Sequence, residues 1–159
     1  SRYFLQANLQ LAYDGQFLGL DARPAAGATG TREVEVNDLE IMARDVSAFA
    51  ARYKEKFAYW QESLAQFARQ GKKVVIWGAG SKGVTFLNVL ATRDQIAYVV
   101  DINPHRHGKF MPGTGQEIVA PEFLKGHDPD LVVVMNPVYE DEIRSELGKL
   151  GLNPQVVSV

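Results

Sequence analysis

The stretch that decides the fold is VVIWGAGSKG, residues 74–83. Its apolar run VVIW is typical of a strand covered on both faces, and it leads directly into the pattern G-x-G-x-x-G. In this pattern Gly78 permits the tight turn, Gly80 lets backbone approach a phosphate, and Gly83 allows close helix–strand packing. Backbone N–H groups at the start of the following helix favour an anion, so the turn predicts a nucleotide or phosphate site. The candidate binding residues are Gly78, Ala79, Gly80, Ser81, Lys82 and Gly83. A purely structural βα corner that holds no ligand is the open alternative.

The rest of the chain after Lys72 alternates between apolar strands and helical segments. Further strands are predicted at residues 97–100, 118–119, 131–135 and 156–159. Helices are predicted at 81–91, from Pro121, and at 139–150. Alternating strands and helices form right-handed βαβ units on a parallel sheet. The predicted fold of residues 72–159 is therefore α/β, a Rossmann-like parallel sheet of about five strands with flanking helices.

Polar residues follow several of these strands, at the carboxyl edge where open α/β sheets bind ligands. Asp101 lies 18 residues past Gly83, where an acidic residue can hold ribose hydroxyls and would repel a 2′-phosphate. Asn136 ends the fourth strand, either as a ligand contact or as a helix cap. The basic loop 103–109 is either solvated or contacts an anion, and its histidines lack a third ligand, so we predict no metal. Thr114 hydrogen-bonds either a ligand or its own turn, and we expect the turn.

A predicted β-hairpin and linker occupy residues 1–36. Apolar alternation on both sides of Asp14-Gly15, a dipeptide favoured in type I′ turns, predicts a hairpin over about residues 8–22. The small residues of 25–31 are typical of a loop or linker.

A long amphipathic helix is predicted over residues 37–71. Its apolar residues recur with the helical period of about 3.6, from an N-cap at Asn37 or Asp38 to a stop at Gly71. This apolar stripe consists of Met42, Val46, Phe49, Tyr53, Phe57, Trp60, Leu64 and Phe67. We interpret the stripe as core or interface, with part of it docking onto another domain or a second copy.

Composition excludes several classes of function. The 159 residues contain no cysteine, which excludes disulfides, thiolate catalysis and cysteine-ligated zinc or iron–sulfur clusters. A net charge of −2 argues against nucleic acid as a partner, and no apolar stretch reaches the ~20 residues of a membrane span. We expect a cytoplasmic protein. The sequence has no Ser–His–acid set, paired carboxylates or P-loop, and His127 stands alone, so no catalytic residue is assigned.

Five segments together resemble the C-terminal domain of sugar C-methyltransferases, which use S-adenosylmethionine to methylate a carbon of a nucleotide-linked deoxysugar. They are VIWGAGSKG at 75–83, VDINP at 100–104, GKFMPGT at 108–114, VMNPVY at 134–139 and YDGQFL at 13–18. The resemblance covers about residues 8–159. It implies a longer protein with a cysteine-bearing zinc domain and a middle methyltransferase domain that binds S-adenosylmethionine and supplies the catalytic base. The first residue, Ser1 rather than Met, fits a fragment of such a protein.

The resemblance also implies a function for this chain. The partners would be the middle methyltransferase domain and a nucleotide-linked sugar. The cleft between the two domains would place the 78–83 corner, Asp101 and Asn136 on the nucleotide-sugar side. The chain would then assist substrate binding and domain assembly without being catalytically complete. Two alternatives stay open: an NAD(P)-type dinucleotide-binding regulatory or oxidoreductase module, and a non-catalytic interaction domain that forms a homo-oligomer through its long helix.

Overall fold

The computed structural model describes residues 4–13, 15, 17–24, 36–92 and 94–159. The chain divides into two compact units, Ser1–Tyr53 and Lys54–Val159. None of the helices in the described part of the chain combines the length and apolar content needed to cross a bilayer.

The first unit contains an antiparallel hairpin of β1 (Phe4–Ala12) and β2 (Phe17–Pro24). It also contains the first half of the long helix α1, which spans Val36–Arg69 and continues into the second unit. The hairpin register pairs Leu9 with Leu20 and Leu11 with Leu18, so one face of the hairpin is apolar.

The second unit is built on a five-stranded parallel sheet. Its strands are β3 (Val74–Trp77), β4 (Tyr98–Val100), β5 (Glu117–Val119), β6 (Leu131–Val134) and β7 (Gln155–Ser158). Their order in the sheet is β5-β4-β3-β6-β7, and every neighbouring pair is parallel. The predicted α/β fold with a Rossmann-like sheet is confirmed.

Helices cover both faces of this sheet, because side chains of a buried strand alternate between two apolar layers. They are α2 (Ser81–Leu90), the short α3 (Leu124–His127) and α4 (Glu140–Lys149), with 3₁₀ turns at Pro104–Arg106, Pro121–Phe123 and Pro137–Tyr139. One layer packs Ile76 and Val99 against Leu87 and the end of α1, where Trp60 and Leu64 are buried. The other layer packs β-strand residues against α3 and α4.

The hairpin differs from its prediction in length. It extends over residues 4–24 rather than 8–22, because polar pairs such as Gln6–Arg23 and Asn8–Asp21 continue the ladder beyond the apolar alternation. The ladder ends at the pairing of Ala12 with Phe17. Asp14, the linker 25–31 and the turn type predicted for Asp14-Gly15 lie outside the described residues.

The apolar stripe of α1 is buried over only half of its length. Trp60 and Leu64 are buried, and Phe57 and Phe67 pack against the same core. Met42, Val46 and Phe49 are exposed, so the second half of the stripe is core, and the docking predicted for part of the stripe stays a prediction for the first half. The helix begins at Val36, and therefore Asn37 and Asp38 lie in its first turn rather than at the N-cap.

Candidate functional site

The glycine turn lies where the chain reverses its direction across the sheet. From β3 the chain first goes to β4 on one side and later returns to β6 on the other. In open α/β sheets, ligands bind in the crevice at the carboxyl ends of the two strands that flank such a switch point. Here these ends are Gly78, which follows β3, and Met135 and Asn136, which follow β6.

Two of the three glycines in the turn are required by the protein itself. Gly78 has φ of +121°, which side chains rarely tolerate, and its N–H donates to Val100 O at 2.8 Å. A Cβ on Gly83 would lie 2.3 Å from Gly78 O, which is closer than any real contact. These two positions account for the tight corner and for the close packing of α2 on β3.

Gly80 has no comparable structural reason to be glycine. Its φ of −81° and ψ of −170° suit any residue, and a Cβ there would meet no heavy atom within 4 Å. Gly80 is also the N-cap of α2, where a side chain would normally accept a hydrogen bond from the first turn. The first turn of α2 therefore has no capping side chain, and the space beside Gly80 is open.

Lys82 and Asn136 meet across the switch point. Lys82 Nζ donates to Asn136 Oδ1 at 3.4 Å, and the two residues come from α2 and from the end of β6. Asn136 precedes the turn Pro137–Tyr139, but its side chain makes no cap hydrogen bond. Asn136 thus occupies the N-cap position of this turn without capping it through its side chain, and the carboxyl edge of the sheet holds an amide and an ammonium group beside the glycine turn.

Asp101 is buried, and its carboxylate is held by the protein on both oxygens. Its side chain is only 8% exposed. Oδ2 accepts from the backbone N–H of Ala79 at 2.9 Å and from Arg106 Nη1 at 2.8 Å. Oδ1 accepts from the backbone N–H of Asn103 at 2.9 Å. Asp101 thus links the glycine turn to the loop that follows β4.

These contacts also determine the charge of Asp101. Burial is the largest single influence and on its own raises the pKa of the carboxyl. The hydrogen bonds from Asn103, Arg106 and Ala79, together with the positive charge of Arg106, outweigh it and leave the pKa below its ordinary value. The group is ionised and neutralised locally by Arg106, so its charge repels a nearby phosphate less.

Hydrogen bonds hold the basic loop 103–109 at the carboxyl end of β4, beside Asp101. His107 Nε2 lies 2.7 Å from Asp101 O, and Asn103 Oδ1 accepts from the backbone N–H of His105 at 3.0 Å. Arg106 keeps 43% of its side chain exposed while it pairs with Asp101. Within the residues that the structure describes, no three His, Cys, Asp or Glu side chains gather as a metal site.

The turn containing Thr114 is held in a way that the sequence did not indicate. Thr114 Oγ1 is buried and has no hydrogen-bond partner, so the predicted bond to its own turn is wrong. Asn88 of α2 holds this turn instead, because its Nδ2 donates to Pro112 O at 2.9 Å. The role of Arg106 as the partner of Asp101 was also missed, since a five-residue separation in a loop carries no pairing signal.

The sheet order and the glycine corner define the class of this protein, a Rossmann-like α/β domain with a polar carboxyl edge. A family model described as "C-methyltransferase C-terminal domain" matches residues 31–152, and the chain belongs to that family. No curated protein matches the chain at a significant level.

Two solved structures illustrate what the chain is similar to. RSP, a Rex-family repressor, is 16% identical with a TM-score of 0.43, over 55% of this chain and 52% of that chain. UDP-D-quinovosamine 4-dehydrogenase from Vibrio fischeri is 26% identical with a TM-score of 0.42, over 55% of this chain and 77% of that chain. The match thus spans about half the length of the repressor.

Proposed function

We propose that this domain binds the nucleoside-diphosphate part of a nucleotide-linked sugar at the glycine turn, on behalf of a C-methyltransferase. The observation that carries the proposal is the open N-cap at Gly80, where neither backbone angles nor neighbouring atoms call for glycine. A phosphate oxygen in that space accepts hydrogen bonds from the first N–H groups of α2 and gains from the helix dipole.

The charged groups around the turn fit a diphosphate. Lys82 lies in the first turn of α2, and its ammonium group reaches the switch point at Asn136. Arg106 neutralises Asp101, which is the acidic residue bonded to the turn at Ala79. A phosphate at Gly80 therefore meets donors and cations, whereas an uncompensated carboxylate would repel it.

The methyl transfer itself is assigned to another domain of the whole protein. S-adenosylmethionine would bind in that middle domain and supply the methyl group. Membership of the C-methyltransferase C-terminal domain family supports this division. In our proposal the present chain orients the substrate by its diphosphate and docks against the middle domain.

An NAD-binding module is the second candidate, favoured by the position of Asp101 at the end of β4. A ribose diol would need acceptor atoms on this carboxylate. Both oxygens already accept hydrogen bonds from Ala79, Arg106 and Asn103. Oδ1 has room for one more donor, but a diol held by both oxygens would compete with Arg106 and Ala79 at Oδ2, and this cost favours the diphosphate.

The test is calorimetric titration of the chain with a nucleoside diphosphate, its sugar conjugate, NAD and S-adenosylmethionine. We expect saturable binding of the first two. Gly80→Asp should abolish it, because the new carboxylate caps the N–H groups of α2 and repels phosphate. This variant should stay folded, since aspartate is a favoured N-cap residue. Lys82→Gln should weaken binding about tenfold or less, as expected for one partly solvated charge.

Lys125→Gln is the matched control, because Lys125 is likewise an exposed lysine and lies on α3, outside the glycine turn. It should leave binding unchanged. Tighter binding of NAD than of the nucleoside diphosphate would favour the second candidate. Absence of binding by all four ligands, or equal binding by Gly80→Asp, would leave the turn as a structural corner.

A further inference from the structure

The first half of α1 carries an exposed apolar face with coiled-coil spacing. Five residues at successive separations of 3, 4, 3 and 4 form it, namely Leu39, Met42, Val46, Phe49 and Tyr53. Each is between 49% and 65% exposed. The same stripe is buried further along, at Trp60 and Leu64. Contiguous exposed apolar surface of this kind marks an interaction site, and we refer to these five residues as the α1 face.

We propose that the α1 face binds the α1 face of a second copy of this chain, with the two helices antiparallel. The separations of 3 and 4 place these residues at the a and d positions of heptads, which is the seam that another helix covers. The flanking residues decide which partner fits, because the positions beside the seam set partner choice and orientation.

The sizes of the apolar side chains fit an antiparallel pair. A two-fold axis between Ser47 and Ala48 sets Val46 opposite Phe49 of the second copy, and Met42 opposite Tyr53. Each aromatic ring then meets an aliphatic side chain, and in each copy the rings of Phe49 and Tyr53 are already stacked at 6.3 Å. Such pairing of large with smaller residues fills the space between two helices.

The charges beside the α1 face select the same arrangement. Asp45 and Arg52 lie seven residues apart on one flank, both exposed. In the antiparallel pair Asp45 of each copy comes diagonally beside Arg52 of the other, which forms two opposite-charge contacts. On the other flank Ala43 and Ala50 allow close approach. Parallel helices would instead place Asp45 beside Ala50 and leave the charges unmatched.

Existing contacts do not oppose this pairing. Asp45 Oδ1 lies 3.7 Å from Arg44 Nε, and both side chains are more than two-thirds exposed. An ion pair this exposed contributes little stability, so Asp45 can turn toward a second copy at small cost. A self-complementary face is what a two-fold dimer requires.

The test is sedimentation equilibrium of the whole chain over a range of concentrations. We expect a reversible monomer–dimer equilibrium, and Phe49→Asp should give a monomer with unchanged circular dichroism. Asp45→Arg and Arg52→Asp should each weaken the dimer about tenfold, because two attractive contacts become repulsive. The double exchange D45R/R52D should restore most of the affinity, since it rebuilds both contacts with the signs reversed.

Glu55→Arg is the control, with the same change of charge at an exposed position away from the seam. It should not alter the dimer. A wild-type chain that is monomeric at every concentration would overturn the proposal and leave the α1 face to a different domain. A dimer that D45R/R52D does not restore beyond the single exchanges would overturn the antiparallel arrangement. Neither result depends on whether the glycine turn binds a nucleotide.

Discussion

At the scale of single residues, two glycines of the turn should respond differently to substitution. The fold requires Gly83, whereas Gly80 is proposed to leave room for a ligand. Gly83→Ala should lower the free energy of unfolding by about 1–3 kcal/mol, the usual cost of forcing atoms into a packed site. The reason is the 2.3 Å approach of its Cβ to Gly78 O. Gly80→Ala should change the free energy of unfolding by less than about 1 kcal/mol, because its backbone angles suit alanine while alanine is a poorer N-cap residue than glycine.

Urea denaturation of both variants beside the wild type checks this contrast. Comparable destabilisation by the two substitutions would mean that Gly80 is also structural. The open N-cap would then lose its value as a sign of a ligand.

The Asp101 carboxylate predicts a loss of stability in acid. Its pKa in the folded chain lies below the ordinary value despite burial, because Asn103, Arg106 and Ala79 hold the ionised form. The unfolded chain therefore takes up the proton first as the pH falls. The stabilisation is complete above the unfolded pKa of about 4 and is lost as the pH falls through the folded pKa. Asp101→Asn should be less stable than the wild type at neutral pH, and this difference should shrink in acid.

Denaturant titrations at several pH values between about 7 and 3 measure that difference. Asp94→Asn serves as a control at an exposed aspartate of the same unit. A gap between Asp101→Asn and the wild type that does not change with pH would show that the lost bonds, and not the charge, account for the effect.

His127 predicts a second pH effect, at milder acidity. Burial lowers the pKa of its imidazole, and the charge of Lys73 lowers it further, against a smaller opposite influence of Asp128. The ring lies against Tyr98 and Phe123, at centroid distances of 5.1 Å and 6.0 Å. Since the unfolded histidine protonates first, stability should fall as the pH drops below about 6.5 and level off below the folded pKa.

His127→Phe removes this titrating group and the buried Nε2, which has no hydrogen-bond partner. The variant should be at least as stable as the wild type and should lack the loss of stability that begins below about pH 6.5. Thermal unfolding at these pH values checks it, with the exposed His105→Asn as the control. A loss of the same size in His127→Phe would assign the effect to another group.

At the scale of elements, the sequence predicted the sheet and the apolar face of α1, but not which half of that face is buried. Strands buried on both faces are continuous apolar runs such as 131–134, and these are visible without any partner. The apolar residues of α1 recur with the same helical period along the whole stripe. This period indicates which face of the helix is apolar, but it does not indicate what covers that face. Burial therefore stops between Tyr53 and Phe57 without a change in the pattern.

The candidate site was predictable in its backbone and less so in its side chains. The glycine turn could be predicted because a strand, the glycine motif and a helix follow one another directly along the chain. The engagement of Asp101 by Arg106 and the contact of Lys82 with Asn136 depend on distances across loops and strands. Such contacts form only when the sheet packs and brings these loops together. A pattern of residues along the chain does not indicate them.

The two halves of α1 give a direct comparison within one helix. Trp60→Ala should cost about 3–5 kcal/mol of unfolding free energy, as expected for a buried aromatic. Its ring is buried and meets Phe86 edge-on at 5.3 Å. Phe49→Ala should change the stability of the monomer by no more than about 0.5 kcal/mol, because its ring is exposed.

Denaturation at low protein concentration measures both variants, so that self-association does not contribute. Concentration-dependent stability in the wild type, absent in Phe49→Ala, would agree with the proposed dimer. A large cost of Phe49→Ala in the dilute monomer would mean that the α1 face is covered within the chain.

At the scale of the whole molecule, the two units should differ in their resistance to opening. The Lys54–Val159 unit holds a five-stranded sheet buried on both faces. The hairpin of the other unit has two strands, and the leucines on its apolar face are more than half exposed. A two-stranded hairpin is marginally stable unless its face is covered. Amides of β1 and β2 should therefore exchange with solvent orders of magnitude faster than those of β3, β4 and β6, because local opening of the hairpin costs little free energy.

Hydrogen-exchange mass spectrometry of the intact chain measures this, with the urea-unfolded chain as the reference for intrinsic rates. Repeating the measurement across protein concentrations distinguishes two causes of protection. Slow exchange in the hairpin at every concentration would contradict the prediction that the hairpin is only marginally stable. Exchange that slows as the concentration rises would show that a second copy covers the leucine face.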